Sequence, residues 1–228
     1  AAARSSSTRR VDFMGGRGSY SATRRGSGDV RTSSGGTGQR NAHPMDVSDF
    51  EGMTLQQIED RIRKLGHEEL FVLDADGTVL AAYKGNSNSV AFSHSELFRD
   101  GATVTHGHPK GAEGYGATFS PQDVLNMAAS NWAEHRAAAS GKNELNYIIR
   151  RNASNTEKKS SDLYARVKKD MPSLEAEMRR QAQSASKKLS ATGRRQIYTG
   201  VLDRYYSEVL PEYGFDYITR KKGYNYHR

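Results

Sequence analysis

The apolar residues are distributed unevenly along this chain, and that distribution most constrains what it can fold into. Residues 1–42 contain 8 arginines, 8 glycines and 8 serines, and their only sizeable apolar side chains are Val11, Phe13, Met14, Tyr20 and Val30. A segment of this composition cannot bury enough apolar surface to offset its loss of conformational entropy. We therefore expect a flexible basic tail or linker at residues 1–42 and one modest core in the rest of the 228-residue chain.

Charge divides the remainder of the chain. Residues 43–140 carry 7 basic and 14 acidic side chains, whereas residues 141–228 carry 19 basic and 10 acidic side chains. An acidic middle between basic flanks is typical of separate segments rather than of one uniformly charged binding surface. We therefore predict three units, which are the tail at 1–42, a compact domain at 43–150 and a basic helical extension at 151–228.

Cysteine is absent from the chain, which restricts the chemistry available to it. There can be no disulfides, no thiolate nucleophiles and no cysteine-containing zinc sites, so a metal ion would be bound by histidine and carboxylate. Seven histidines could contribute. No run approaches the roughly 18 apolar residues that a membrane span requires, and the N-terminus lacks an apolar secretory stretch, so we expect no membrane partner.

Hydrophobic periodicity predicts an α/β domain at residues 43–150, with a small mixed β-sheet flanked by helices. Thr54 and Gln57 have the spacing of a capping box, so a helix is expected to follow Thr54. Two β-like runs at residues 70–73 and 78–83 flank an Asp-Gly pair, which is a strong hairpin signal.

Further elements are predicted on either side of a glycine-rich loop. Shorter β-like runs at residues 90–92 and 102–105 extend the sheet, and a short helix between them is expected. A longer helix should open at Ser120 and continue through Trp132 to Arg136. In the basic extension, helical patterns occur at residues 160–169, 174–189 and 197–210.

The most informative sequence is Thr-His-Gly-His-Pro, which follows a predicted strand and contains His106 and His108. On an extended strand, side chains two residues apart project from the same face, so both imidazoles can reach one ion. Asp123, at the start of the next helix, can supply a third ligand. Two imidazoles and one carboxylate leave an open position on Zn²⁺ for water, as in catalytic rather than structural zinc sites.

The sequence from Ser120 to Asp123 also has a purely structural explanation. Ser120 is a favourable N-cap, Pro121 is favourable at the first helical position, and Asp123 at the third position complements the helix dipole. These residues indicate a metal site only in combination with the two histidines, in the order strand, His-x-His-Pro, loop, Ser-x-x-Asp and helix.

In this order, residues from about Thr54 to Arg150 resemble the JAB/MPN metalloenzymes, whose JAMM motif is an upstream Glu followed by His-x-His-Pro and Ser-x-x-Asp. The sequence Glu-Glu-Leu-Phe-Val-Leu-Asp before the hairpin is most similar to the RadC-like, phage and polymorphic-toxin branch. The resemblance implies a cytidine-deaminase-like layering of sheet and helices. Gly107 departs from the pattern, because Ser or Asn usually separates the histidines, and the loop from Pro109 to Ser120 is longer than in common forms.

The resemblance also implies a role for each matching residue. His106, His108 and Asp123 would bind zinc, and Ser120 would stabilise the oxyanion of the reaction.

Three glutamates are candidates for the residue that activates water. Glu68 is preferred because it begins the strand as the family's Glu does. Pleat alternation sends Glu69 to the opposite face, so only one of the pair can point at the metal. Glu96, on the short helix before the histidine strand, is the third candidate.

These features predict a zinc-dependent hydrolase of isopeptide or peptide bonds, in a phage-associated, prophage-associated or effector protein. It would reside in the host-cell cytoplasm or on a virion, with an isopeptide-linked or protein substrate and a phage structural or immunity protein as partner. One alternative is a non-catalytic scaffold of a virion protein, and another is a toxin with nuclease activity. Nucleic acid or an acidic partner would contact the basic residues Arg194, Arg195, Lys221 and Lys222, together with Tyr224.

Overall fold

The computed structural model describes residues 29–31, 42–109, 117–140, 145–185 and 189–221. Most of the predicted tail therefore lies outside the described residues, as do Lys222 and Tyr224. The described chain is a mixed α/β fold with a six-stranded mixed sheet and four α-helices. The helices are α1 (Leu55–Ile62), α2 (Pro121–Ala129), α3 (Glu157–Ala185) and α4 (Ala191–Glu212). The strands are β1 (Asp29–Arg31), β2 (Glu69–Leu73), β3 (Val79–Lys84), β4 (Ala91–Ser93), β5 (Thr103–His108), β6 (Glu134–Ala139), β7 (Leu145–Arg151) and β8 (Phe215–Lys221).

The main sheet has the strand order β3-β2-β5-β6-β7-β8. Strands β5 and β6 pair in parallel, and the other neighbouring strands pair antiparallel. The parallel pair is connected through α2, because parallel neighbours need a crossover. Strands β1 and β4 form a separate two-stranded sheet.

Local signals in the sequence correctly predict the first helix and the hairpin. At the start of α1, the Thr54 backbone N–H donates to Gln57 Oε1 at 2.8 Å, and the Gln57 N–H donates to Thr54 Oγ1 at 3.3 Å. In the turn between β2 and β3, Asp74 Oδ1 accepts from the N–H of Thr78 at 2.9 Å. Gly77 has a φ of +88°, a conformation that glycine adopts without strain.

The sheet lies between two apolar clusters, one on each face. On the first face, Leu70, Val72 and Val104 pack with buried residues of α2, α3 and α4. On the second face, Phe71 and Leu73 pack with buried residues of α1. Consecutive residues of β2 therefore point into different layers, as the pleat of a strand requires.

A buried polar network joins α1 to the second face of the sheet. Glu59, which is fully buried, accepts from Arg136 Nε at 2.5 Å and from Asn146 Nδ2 at 2.7 Å. Arg136 Nη1 also donates to Glu134 at 2.6 Å, and Arg63 lies 3.8 Å from the Glu59 carboxylate. The pairing makes burial of these charges tolerable, because an unpaired charge in the interior is costly.

Three predicted elements differ from the structure. Residues 134–139 form strand β6, so the prediction of a helix running to Arg136 is wrong. The helical patterns predicted at 160–169 and 174–189 fall on one helix, α3, as far as residue 185, where α3 ends; this helix contains Pro172. The extension is not purely helical, because β8 pairs with β7 along its whole length and forms an edge of the main sheet.

The helices of the described residues include none that is long and apolar enough to cross a bilayer.

Candidate metal centre

The end of β5 and the start of α2 meet on the first face of the sheet. His106 pairs with Leu70 of β2, and His108 lies two residues further along the same strand. Both histidines are buried, and their Nε2 atoms are 2.9 Å apart. The prediction that both imidazoles project from one face is therefore confirmed in the described structure.

Asp123 reaches the two histidines from the first turn of α2. Its Oδ2 accepts from the Ser120 N–H at 2.7 Å and from Ser120 Oγ at 2.8 Å, which completes a capping box. Oδ1 lies 3.6 Å from His106 Nε2, and Oδ2 lies 3.8 Å from His108 Nε2. Oδ1 is buried and has no hydrogen-bond partner among the described residues. The helix cap thus fixes the carboxylate and leaves one oxygen directed at the histidines.

The side chains of His106, His108 and Asp123 are close enough together to share one metal ion. Two ligand atoms at about 2.0–2.1 Å from a tetrahedral Zn²⁺ lie about 3.3 Å from each other. His106 Nε2 lies 2.9 Å from His108 Nε2 and 3.6 Å from Asp123 Oδ1, and the other carboxylate oxygen, Oδ2, lies 3.8 Å from His108 Nε2. The donor set of two imidazoles and a carboxylate, with an unpaired buried oxygen, is chemically suited to the same ion.

A further histidine, His135 of β6, lies beside these residues. It is fully buried, and its Nε2 lies 3.2 Å from His106 Nδ1. Ligand atoms of His106, Asp123 and His135 all lie within 4.8 Å of one another, so this group also could hold a metal ion. The structure therefore supports a buried histidine and aspartate site that could hold a metal.

Sequence reasoning missed His135 because the helix that opens at Ser120 was predicted to run as far as Arg136. In the structure, β6 pairs with β5, and His135 is opposite Val104 on the face that carries His106. The alternation of His135, Ala137 and Ala139 was the available signal, but Ala and Arg are also strong helix formers.

Burial and the charges of neighbouring groups give the three imidazoles different pKa values. Burial, and next the charge of His106, lower the pKa of His108 to about 3. The same two causes lower the pKa of His135 well below its ordinary value. Burial alone would also lower the pKa of His106, but the negative charge of the nearby Asp123 outweighs it and raises that pKa. His106, next to Asp123, is therefore the most basic of the three imidazoles.

The three glutamates proposed to activate water occupy different places. Glu68 is buried, precedes β2 and shares the sheet face of Leu70, which pairs with His106. Its charge contributes, after that of Asp123, to the raised pKa of His106. The geometry therefore brings Glu68 toward the histidines.

The other two glutamates are engaged elsewhere. Glu69 points to the opposite face and accepts from Arg61 Nε and Nη2, both at 3.1 Å. Glu96 accepts from Arg99 Nε at 3.0 Å and from the Tyr83 hydroxyl at 3.3 Å. Both carboxylates are thus paired with residues outside the centre.

The basic residues predicted to bind nucleic acid have mixed surroundings. Arg195 is partly buried, and its Nη1 and Nη2 donate to the carbonyls of Pro109 at 2.6 Å and His108 at 3.2 Å. Arg194 is exposed and donates to the Leu189 carbonyl at 3.2 Å. Lys221 ends β8. Arg195 thus contacts the end of the histidine strand, which sequence reasoning did not foresee.

Thr199, which also belongs to α4, makes a second contact near the end of the histidine strand. Thr199 Oγ1 accepts from the Ala117 N–H at 2.8 Å, while Ala117 O is 3.1 Å from His108 Nδ1. Together with Arg195, Thr199 therefore fixes the backbone on both sides of the loop at 110–116, whose own residues lie outside the described structure.

Gly107, which stands between the two histidines where the JAMM pattern usually has Ser or Asn, faces α1. A Cβ at this position would lie 3.4 Å from Ile62 Cβ and from the Ile62 carbonyl oxygen. A small residue here allows α1 to pack closely against the histidine strand.

Comparison with known proteins gives no further identification: no family model, no curated protein and no solved structure matches this chain. The resemblance to JAB/MPN enzymes therefore stays a prediction that depends on the motif residues themselves.

Proposed function

We propose that this protein is a zinc-dependent hydrolase that cleaves amide bonds, either isopeptide or peptide. The observation that carries the proposal is the close approach of His106, His108 and Asp123, together with the buried Asp123 Oδ1, which has no hydrogen-bond partner among the described residues. The resemblance to the JAMM motif supplies the bond class, because the geometry alone is compatible with several hydrolytic reactions.

The chemistry follows from the positions of the side chains. When bound, Zn²⁺ lowers the pKa of a water molecule and polarises a substrate carbonyl. Glu68 would accept a proton from the attacking water on its carboxylate and would return it to the leaving amine nitrogen. His106, His108 and Asp123 orient the reacting centre. Their burial keeps bulk water away, which strengthens electrostatic interactions at the centre.

The Ser120 hydroxyl makes a hydrogen bond to Asp123 that would have to break before Ser120 could act as the oxyanion donor. Its hydroxyl donates to Asp123 Oδ2 at 2.8 Å, whereas an oxyanion donor must point at the substrate oxygen. Rotation about the Cβ–Oγ bond would redirect the hydroxyl proton, while Oγ still accepts from the Asp123 N–H at 3.3 Å and the Ser120 backbone N–H still donates to Oδ2 at 2.7 Å. The capping box thus tolerates a serine that donates to substrate during the reaction.

Replacement of the proposed base tests the proposal. We expect Glu68→Gln to lower the rate of amide hydrolysis by a factor on the order of 10²–10⁴, because the amide cannot accept the proton. Its zinc content should remain that of the wild type, because Glu68 is not a ligand. The rates are measured on zinc-loaded protein with quenched fluorescent peptides that contain either a backbone peptide bond or a lysine isopeptide bond.

Glu69→Gln is the matched control, because it makes the same chemical change one residue away and on the opposite face. It should retain wild-type activity. Loss of activity in Glu69→Gln with full activity in Glu68→Gln would contradict the assignment of the base. Zinc-loaded wild type that cleaves neither bond would contradict the hydrolase, and cleavage of added DNA or RNA instead would favour the nuclease alternative.

A further inference from the structure

We infer that His135 is a positioning residue, which accepts a hydrogen bond from His106 Nδ1–H and thereby directs the His106 Nε2 lone pair at the metal. This inference rests on the proposed zinc site and adds a residue that the JAMM pattern does not contain. Its basis is the buried contact between the two rings, in which His135 Nε2 lies 3.2 Å from His106 Nδ1.

The two nitrogens of His106 face different neighbours. Nε2 is 2.9 Å from His108 Nε2 and 3.6 Å from Asp123 Oδ1, whereas Nδ1 is the atom that meets His135. A neutral imidazole carries one proton, and a metal-binding nitrogen must be the one without it. A proton on Nδ1, held by His135, therefore leaves Nε2 free to bind the ion.

The pleat of the sheet makes this arrangement rigid. Strands β5 and β6 pair in parallel with His106 opposite Ala137 and Val104 opposite His135, so the two rings lie diagonally on one face. Phe119 and Trp132 pack against the His135 ring at centroid distances of 5.1 Å each. The ring is consequently confined by apolar neighbours, and His106 is the described side chain to which it is hydrogen bonded.

Distances favour positioning over direct ligation by His135. His106 Nε2 lies 2.9 Å from His108 Nε2 and 3.6 Å from Asp123 Oδ1, near the roughly 3.3 Å that separates two ligands of a tetrahedral zinc ion. His135 Nε2 instead lies 3.2 Å from the other ring nitrogen of His106, Nδ1, which points in a different direction from Nε2. Histidine ligands of metals commonly donate their second ring N–H to a fixed acceptor, and loss of that acceptor weakens metal binding by about 10–100-fold.

Two substitutions at one position test the inference. In His135→Gln, the amide oxygen can occupy the place of Nε2 and accept from His106, whereas His135→Leu fills the space without an acceptor. Zinc affinity is measured by competition with a chromophoric chelator. We expect a loss of about 10–100-fold for His135→Leu and wild-type affinity for His135→Gln. In proton NMR of the zinc-loaded protein, the His106 Nδ1–H signal should persist in His135→Gln and be lost in His135→Leu.

Other outcomes overturn the inference in distinguishable ways. Wild-type affinity in both variants would show that His135 has no role at the metal. Equal losses in both, with a changed visible spectrum after Co²⁺ substitution in His135→Gln, would make His135 a ligand. A wild-type chain that binds no zinc would overturn the proposed function as well, whereas the first two results would leave that function intact. Thermal unfolding of the metal-free variants identifies any loss that comes from misfolding.

Discussion

His106→Ala should abolish zinc binding at concentrations where the wild-type chain retains about one ion. His106 contributes the nitrogen that lies between His108 Nε2 and Asp123 Oδ1. Changes outside the first coordination sphere already weaken metal binding by about 10–100-fold, so removal of a ligand should exceed 100-fold. Metal content is measured by elemental analysis after dialysis against zinc and then against metal-free buffer.

Two companion variants make this result specific. His43→Ala removes an exposed histidine outside the centre and should leave the zinc content unchanged. Asp123→Asn retains an oxygen for the capping box of α2 but removes the anionic ligand, so it should bind zinc weakly while it stays folded. Among these proteins, zinc should raise the unfolding temperature only of the wild type and of His43→Ala. A ligand stabilises the native state only where it binds. Stoichiometric zinc in His106→Ala would contradict the site.

Glu59→Leu should lower the free energy of unfolding by about 3–5 kcal/mol, since removal of one member of a buried charge network leaves its partners uncompensated. The Glu59 carboxylate is fully buried and accepts from Arg136 and Asn146. The measurement is urea denaturation followed by circular dichroism.

A second substitution separates the charge effect from the change in packing. In the double variant Glu59→Leu with Arg136→Met, most of the stability should return, because the remaining Glu134 keeps its ion pair with Arg150 at 2.7 Å. Asp162→Asn, which breaks an exposed pair with Lys158 on α3, should change the stability by less than about 1 kcal/mol. A double variant less stable than Glu59→Leu would contradict this explanation.

Features encoded by neighbouring residues could be predicted from the sequence. The capping box before α1, the Asp-Gly hairpin and the Ser120 cap of α2 each depend on residues within four positions of each other. The common face of His106 and His108 likewise follows from the pleat of a single strand. For this reason three of the four histidine and aspartate residues at the centre were identified before the fold was known.

Pairings between distant residues could not be predicted in the same way. Residues 134–139 contain good helix formers, but their backbone pairs with β5 on one side and β7 on the other, and tertiary pairing overrides local preference. The partner of β7 lies about seventy residues further along, in β8. His135 was missed for this reason, because its place at the centre depends on a strand that only the assembled sheet stabilises.

The contacts of α4 with the ends of the 110–116 loop determine how the chain can be shortened. Arg195 donates to the carbonyls of His108 and Pro109, and Thr199 accepts from Ala117. A fragment that stops at residue 150 keeps every proposed zinc ligand but loses these three hydrogen bonds and the edge strand β8. The minimal fragment for work on this centre therefore extends to residue 221, and the acidic and basic parts of the sequence must be expressed as one piece.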